Sequence, residues 1–214
     1  MVPMASTNRQ VRPYRGVDPA ERVAQRRDRL LEAGLELLGG QQRDPAELTV
    51  RAICRQAGLT MRYFYESFTD KDAFVSAVFD RVVNEIAATT QAAVAAAPRR
   101  EQTRAGMANI VRAISEDPRM GRLLFSRQLS NAVVVRKREE SHALFAMLSG
   151  RHVEATLQLP ENERIKAVSH FVVGGVGQTL SAWLAGEVRL EPDRLVDQLA
   201  AILDVLAVAD LYKD

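Results

Sequence analysis

Residues 49–74 read TVRAICRQAGLTMRYFYESFTDKDAF and contain two short helix patterns separated by a tight turn. Thr49 is predicted to cap the first helix, since its hydroxyl can accept a hydrogen bond from a free backbone N–H at the helix start. Gly58 is predicted to end that helix, because glycine readily takes the left-handed conformation that a tight interhelical turn requires. Thr60 and Asp70 occupy the cap positions of the next two helices. The pattern therefore predicts a helix-turn-helix followed directly by a third helix.

Apolar and polar residues are segregated in this stretch. The residues spaced to fill a small core between the two helices are Ile53, Ala57, Leu59 and Phe64. Cys54 is expected to be buried where the helices cross, since only a small side chain fits there. The second helix carries, on mostly polar positions, Met61, Arg62, Tyr63, Tyr65 and Ser67. A helix presented in this way has the shape to lie in a DNA major groove.

These residues resemble the DNA-binding region of the TetR family of transcriptional regulators, over roughly residues 21–83. The positions that meet the family pattern are Thr49, Ile53, Ala57, Gly58, Leu59, Thr60, Phe64, Tyr65, Phe68, Asp70, Lys71 and Phe74. Cys54 departs from the pattern, where alanine is usual, but it is similarly small. The resemblance implies a homodimer, with a helical C-terminal domain whose sequence varies widely among members.

The resemblance also implies individual DNA contacts. Tyr65 matches a tyrosine that meets the DNA backbone, and Lys71 matches a lysine at a helix start, where free N–H groups also favour a phosphate. Thr49 occupies a comparable position at the start of its own helix, and Ser67 can donate to a phosphate. The candidates for reading bases are Arg51, Met61, Arg62 and Tyr63.

An arginine can form a bidentate pair with guanine, and Met61 or Tyr63 can meet a thymine methyl group. Each of these side chains also has an ordinary structural interpretation. Tyr63 and Tyr65 can instead be packing residues, because a tyrosine on a short helix is often half-buried. Arg62 can be a solvated surface residue, and Thr49 serves as a cap in either case.

The composition excludes several classes of protein. One cysteine in 214 residues leaves no internal disulfide framework and no Cys-based zinc site. No apolar run approaches the roughly 20 residues that span a membrane, and the N-terminus lacks the apolar segment of a secretory signal. We therefore expect a cytoplasmic protein that has no membrane partner.

Positive charge is concentrated near the helix-turn-helix, although the net charge is only +2. Residues 1–30 hold seven arginines and three acidic residues, so positive charge would lie beside bound phosphates. Residues 1–17 are predicted to be a basic N-terminal arm. This arm is either an inert tail or a segment whose Arg9, Arg12 and Arg15 follow the DNA backbone or enter the minor groove.

The whole chain is predicted to be all-α. A first helix begins at Asp18-Pro19 and ends at Gly39-Gly40, and the helix after Asp70 continues to the residue before Pro98. Further helices are expected at roughly 101–115, 118–128, 132–157, 161–186 and 192–209. The predicted domains are a helix-turn-helix DNA-binding domain at 18–72 and a helical ligand-binding and dimerisation domain at 73–214.

Apolar stripes on the last two helices are candidates for a dimer interface. In the final helix the stripe consists of Leu195, Leu199, Ile202 and Leu206. In the preceding helix it contains Val168, Val172, Thr179 and Trp183. The two helices either pair with those of a second copy in a four-helix bundle, as the resemblance implies, or face their own core. A dimer would present two recognition helices about 34–36 Å apart to a palindromic operator.

The middle helices would enclose a ligand pocket, as in the family. The candidate lining residues are Met107, Ile110, Ile114, Phe125, Leu129, Phe145, Leu148, Phe171 and Gly175. An ordinary core contains the same kinds of residues at the same spacing. The few polar groups favour an apolar or amphipathic small-molecule effector. The spacing of His142, His152 and His170 does not indicate a metal site, and no metal or cofactor is predicted.

The sequence thus predicts a DNA-binding transcriptional regulator of TetR type, a repressor that a small molecule releases from a palindromic operator. An enzyme is the first alternative. No nucleophile elbow or phosphate-binding loop is found, and Gly174-Gly175-x-Gly177 lies within a helical pattern. A helical interaction protein that no longer binds DNA is the second alternative. Against it stand the retained Arg51, Arg62, Tyr65 and Lys71.

Overall fold

The computed structural model describes residues 18–40, 48–126 and 129–212. Within these ranges the chain forms nine α-helices and no β-strand. The first four are α1 (Pro19–Gly39), α2 (Val50–Ala57), α3 (Met61–Ser67) and α4 (Lys71–Ala96). The other five are α5 (Gln102–Glu116), α6 (Pro118–Phe125), α7 (Ala132–Leu157), α8 (Glu163–Leu184) and α9 (Pro192–Leu206). The predicted all-α architecture, a helix-turn-helix region followed by a helical C-terminal domain, is confirmed.

Capping residues begin most of the helices of the N-terminal part, which we call the head (α1–α3). The side chain of Asp18 accepts a hydrogen bond from the Ala20 amide at 3.0 Å, and that of Thr49 accepts one from the Ala52 amide at 3.1 Å. Asp70 caps α4 in the same way, through the Ala73 amide at 2.8 Å. Thr60 precedes α3 as predicted, but its hydroxyl makes no capping hydrogen bond.

The turn between α2 and α3 depends on Gly58. Its φ of 63° lies in the left-handed region, which costs other residues about 1–2 kcal/mol and costs glycine little. The Gly58 amide then bonds back to the Arg55 carbonyl, and the Leu59 amide bonds to the Cys54 carbonyl. The sequence therefore turns sharply enough for α3 to cross α2 directly.

Aromatic rings form the core of the head and join it to α4. The Phe64 ring lies 5.4 Å from the Phe74 ring, and the Phe68 ring lies 5.1 Å from it, centroid to centroid. All three phenylalanines are buried. α1 approaches α4 closely at Gly34, where a Cβ atom would lie 2.5 Å from Val78 Cγ2. Because Phe74 belongs to α4, the core of the head continues into that helix.

α4 also packs against the C-terminal part of the chain, which we call the body (α5–α9). It contacts α5 and α7, while α8 lies against α7 and α9 lies against α5. The fully buried side chains of the body include Ile114, Leu123, Leu180 and Leu195. Buried residues of head and body form one continuous cluster along α4.

Two predicted dimer-interface residues belong to the protein's own core instead. Leu195 is 1% exposed and Leu199 is 4% exposed, because α9 turns this side toward α5. They cannot also contact a second copy. The spacing correctly indicated that α9 has a packing face, but spacing does not reveal which helix covers it.

Two predicted pocket residues lie on the outside of α8. Phe171 is 69% exposed, and a Cβ atom at Gly175 would meet nothing within 4 Å. Neither residue therefore lines an interior pocket. They share the helical spacing of core residues, yet the face of α8 that carries them is not the one turned toward α7.

The predicted N-terminal arm, with Arg9, Arg12 and Arg15, lies outside the described residues. Within the described ranges, no helix has the length and apolar character needed to cross a membrane.

Candidate nucleic-acid interface

One surface of the head gathers the exposed candidates for DNA contact. It is formed by α2, α3 and the first residue of α4, and its exposed members are Thr49, Arg51, Met61, Arg62, Tyr65 and Lys71. The Arg62 side chain is 84% exposed, and Tyr65 is 59% exposed. The Tyr65 ring also meets the edge of Phe64 at 5.3 Å between centroids. Its base is thus packed against the core while most of the ring faces solvent.

Tyr63 and Ser67 are less accessible than the other candidates. Both are half-buried, because α1 passes beside them. The guanidinium carbon of Arg26 lies 4.4 Å from the centroid of the Tyr63 ring, a cation–π contact. Tyr63 is therefore partly a packing residue, as the alternative interpretation held.

Three arginines of α1 hold the helix-turn-helix, and we call Arg26, Arg27 and Arg29 the arginine clamp. Arg29 donates to the Ala57 carbonyl at 2.7 Å and to the Gly58 carbonyl at 3.4 Å. These carbonyls are at the end of α2, where a helix leaves its last acceptors without partners. Arg29 thus secures the turn through charge-assisted hydrogen bonds.

Arg27 secures the other end of α3. It donates to the Ser67 carbonyl at 2.8 Å, and its guanidinium carbon lies 4.4 Å from the centroid of the Phe68 ring. The sequence indicated that the arginines of residues 1–30 would lie beside bound phosphates. For the clamp, the side chains are instead engaged with the protein's own helices. Nothing in the spacing of α1 alone distinguishes these two uses.

Glu66 of α3 is a feature that the sequence interpretation missed. Its Oε1 accepts a hydrogen bond from Arg62 Nε at 2.9 Å, and its Oε2 lies 4.0 Å from Arg26 Nη2. The signal for the first contact was present, because Arg62 and Glu66 are four residues apart on a helix. The second contact joins α1 to α3 and depends on the fold.

Cys54 is buried where α2 meets its neighbours, as predicted from its size. Burial raises the pKa of the Cys54 thiol above its ordinary value. The group is therefore neutral at pH 7 and acts as a small apolar side chain.

The remaining pocket candidates are spread through the body. Ile114 and Leu129 are buried, and the half-buried ones are Met107, Ile110, Phe125, Phe145 and Leu148. Phe125 and His142 come together at Gly177, where a Cβ atom would lie 3.9 Å from the Phe125 ring and 3.6 Å from His142 Nε2. His152 is separate, and its pKa is lowered by burial and by the nearby Arg99.

Two hydrogen bonds link the ends of α8 and α9. Asn162, at the start of α8, donates to the Tyr212 carbonyl at 3.1 Å, beyond the end of α9. Trp183, near the end of α8, donates to the Leu190 carbonyl at 2.8 Å, just before α9. We use the name α8–α9 face for a set of exposed residues on these two helices: Phe171, Gly174, Gly175, Ile202 and Val205.

The other dimer candidates are less exposed. Val168, Val172, Thr179, Trp183 and Leu206 are half-buried, whereas Ile202 is exposed and belongs to the α8–α9 face. Val205 also belongs to this face and is 70% exposed. It was absent from the predicted stripe.

Residues 30–78 match the family model for bacterial regulatory proteins of the tetR family. The match covers α2 and α3 completely, together with the end of α1 and the start of α4. The predicted resemblance to the tetR family is confirmed over these residues. No curated protein sequence is significantly similar to the chain.

Solved structures of regulators share the fold. The transcriptional regulator FadR from Bacillus subtilis, in complex with stearoyl-CoA, superposes with a TM-score of 0.67 at 14% identity, over 82% of this chain and 96% of that one. A tetR-family transcriptional regulator from Streptomyces coelicolor superposes with a TM-score of 0.64 at 19% identity, over 87% and 83% of the two chains. The fatty acid degradation regulator FadR from Bacillus halodurans superposes with a TM-score of 0.66 at 13% identity, over 88% of this chain and 96% of that one.

The contact between Arg29 and the turn leads to a prediction about stability. Arg29→Met removes two hydrogen bonds from carbonyls at the end of α2, and we expect the free energy of unfolding to fall by about 1–2 kcal/mol. Urea unfolding followed by circular dichroism measures the change. The matched control is Arg55→Met, whose exposed side chain should change the free energy by less than about 0.5 kcal/mol. Equal losses in both variants would contradict the role of Arg29.

Proposed function

We propose that this chain, whose residues 30–78 form a TetR-family DNA-binding region, is a sequence-specific repressor. In this proposal a homodimer binds a palindromic operator in the cytoplasm, and a small-molecule effector releases it. Residues 18–72 would contact DNA, and residues 73–214 would bind the effector and the second copy. The observation that carries the proposal is the exposed surface of α3, held in place by the arginine clamp.

The proposed DNA contacts follow from what is exposed. Tyr65 and Lys71 would bind phosphates on either side of α3, and Thr49 would add a contact at the start of α2. Lys71 is also the first residue of α4, whose free amides and positive dipole end attract an anion. Contacts of this kind set the orientation of the head and carry little sequence information.

Base recognition would depend on the side chains that project farthest. Met61 and Arg62 are exposed at the start of α3, and Arg51 is exposed on α2. The half-buried Tyr63 and Ser67 would contribute at the edges of the interface. An arginine paired with a guanine contributes about 1–3 kcal/mol of discrimination. A few such contacts on each head support sequence specificity once two heads bind together.

Selection of bound duplexes from a random pool at about 150 mM salt tests the proposed function. We expect the native protein to recover a palindrome, and Arg51→Ala/Tyr65→Phe to recover a degenerate sequence or none. The salt concentration matters because phosphate contacts alone bind DNA strongly at low salt. A folded native protein that recovers no common sequence would contradict the proposal and favour the non-binding interaction protein.

The α8–α9 face supports the proposed homodimer. It combines the large exposed side chains of Phe171 and Val205 with the open backbone of Gly174 and Gly175, so another helix can approach closely. Two such helix pairs related by a twofold axis would bury one another, since an isologous interface uses the same surface on both copies. We therefore place the interface at this face, without Leu195 and Leu199.

A charge on the α8–α9 face should separate the two copies. We expect Phe171→Glu/Val205→Glu to sediment as a monomer of 23.7 kDa, and the native protein to sediment at twice that mass. Burying an unpaired carboxylate costs several kcal/mol, and the dimer would have to bury four of them. Val135→Glu is the control, because Val135 is an exposed apolar residue on α7 and does not belong to this face. A native monomer, or a dimer that survives the double substitution, would contradict this placement.

The proposed effector is an apolar or amphipathic small molecule. Half-buried apolar side chains of the body, including Met107, Ile110, Phe125 and Phe145, pack against the core and support such a ligand. The similarly folded FadR of Bacillus subtilis was solved with stearoyl-CoA, which is amphipathic. Stearoyl-CoA is therefore the first probe to add to the complex with the selected duplex.

Release by an effector requires a connection between body and head, and an ion network supplies one. Arg119 of α6 lies 2.9 Å from Glu32 and 3.1 Å from Glu36, both on α1. It also lies 2.7 Å from Asp117, and this hydrogen bond holds the pKa of the Asp117 carboxyl below its usual value. Arg122 adds a hydrogen bond to the Gly39 carbonyl at the end of α1.

The network also includes α4. Arg81 lies 3.4 Å from Glu32 on α1, and its neighbour Asp80 lies 2.7 Å from Lys137 on α7. A shift of α6 or α7 would therefore change the ion pairs that these helices make with α1 and α4. An effector changes operator affinity only if it binds one arrangement of these helices more tightly than the other.

We expect Arg119→Met to uncouple the unfolding of the head from that of the body. Trp183 is the single tryptophan and lies in the body, so its fluorescence reports body unfolding, whereas circular dichroism reports all helices. In the native protein the two thermal transitions should coincide. In the variant the head should unfold earlier, by roughly 4–8 °C for each kcal/mol lost, as expected of a small domain.

The matched control is Arg104→Met. Arg104 lies 3.0 Å from Asp197, and both residues belong to the body. This substitution should leave the two transitions coincident. Coincident transitions in Arg119→Met would show that the network does not couple the two parts.

A further inference from the structure

Glu66 lies between two arginines from different helices. Its Oε1 is 2.9 Å from Arg62 Nε, and its Oε2 is 4.0 Å from Arg26 Nη2. Arg26 belongs to α1 and also covers the ring of Tyr63 at 4.4 Å. The carboxylate is therefore held by contacts on α1 and α3, and in turn it holds one edge of Arg62.

The atom of Arg62 that Glu66 contacts is important for recognition. A guanidinium group has an edge that includes Nε and another formed by its two terminal Nη atoms. Glu66 occupies the Nε atom. The terminal edge remains available to donate two parallel hydrogen bonds to O6 and N7 of a guanine. Arg62 is 84% exposed, so this edge can reach a base.

This cluster differs from an ordinary surface ion pair. A solvated pair at this helical spacing is mobile and has little effect. Here the Arg26 side chain is only 26% exposed and is stacked on Tyr63, and its Nη2 lies 4.0 Å from the second oxygen of Glu66, so a fixed positive charge faces that oxygen. Limiting the motion of Arg62 before it meets DNA reduces the entropy that is lost on binding.

A carboxylate on a DNA-facing helix also has a cost. Negative charge repels phosphates and weakens binding to DNA of any sequence. Glu66 should therefore lower general affinity, and its contribution must be sought in discrimination between sequences.

We propose that Glu66 is a positioning residue for base recognition, which holds Arg62 so that its terminal edge pairs with a guanine at one symmetric pair of operator positions. The inference rests on the proposed function, because it requires a sequence-specific head. It assigns Glu66 no contact with DNA of its own.

Glu66→Gln separates this role from a structural one. Glutamine keeps the size of the side chain and removes its charge, so the hold on Arg62 weakens. We expect binding to unrelated DNA to strengthen, while the preference for guanine at the position read by Arg62 falls by about tenfold. Loss of a merely structural residue would weaken binding to all sequences together.

The experiment measures dissociation constants for the selected duplex and for duplexes in which each base pair of the half-site is replaced symmetrically. The proteins are the native chain, Glu66→Gln, Arg62→Ala and the double variant. We expect Glu66→Gln and Arg62→Ala to lose discrimination at the same base pair. The double variant should match Arg62→Ala there, because Glu66 acts only through Arg62.

Glu101→Gln is the matched control. Glu101 pairs with Arg100 at 3.3 Å outside the head, so the same loss of charge should leave base preference unchanged. Coincident urea midpoints for native and Glu66→Gln proteins would confirm that folding is unaffected.

Three outcomes would overturn the inference. Unchanged base preference in Glu66→Gln would remove the positioning role. Loss at a base pair different from that of Arg62→Ala would make Glu66 a direct base contact instead. A native protein with no base preference would refute the proposed function as well as this inference, whereas the first two outcomes would refute the inference alone.

Discussion

The packing of Phe64 against Phe68 and Phe74 is the contact on which the exposed surface of α3 depends. α3 has only seven residues, and an isolated helix of that length is not stable in water. Its backbone is ordered because Phe64 is buried with rings from the end of α3 and the start of α4. The arginine clamp of α1 then secures the turn before α3 and the end of α3. The position of the exposed residues of α3 is thus set by the buried phenylalanines and the arginine clamp.

The same packing makes the head inseparable from α4. Phe74 lies in the head core, while Val82 and Ile86 lie farther along the same helix in one continuous cluster. The predicted domain boundary at residue 72 therefore falls within continuous packing. Movement of the head relative to the body must involve α4, α1 or both, because the ion network around Arg119 ties α6 to α1 as well. Such a network has discrete partners, so it can favour one of two arrangements.

The features that the sequence predicted well are those set by local chemistry. The caps at Asp18, Thr49 and Asp70 and the left-handed Gly58 depend on residues close in the chain, and all are present. Leu195 is buried within its own chain and Phe171 is exposed, which the sequence did not indicate, because periodicity identifies a packing face but not its partner. The arginine clamp and the contacts of Arg119 with α1 join residues 28 or more positions apart, so no local pattern contains them.

The use of arginines within the head bears on how the protein would distinguish sequences. Arg26, Arg27 and Arg29 contact the protein itself, and Glu66 places a negative charge on the reading helix. Both features reduce the attraction to phosphates that would bind any DNA. A single head with one short helix then makes too few contacts to bind tightly. Two heads joined through the α8–α9 face would combine their contacts on one duplex, and specificity would rise with them, because a wrong base in either half-site lowers the affinity of the whole dimer.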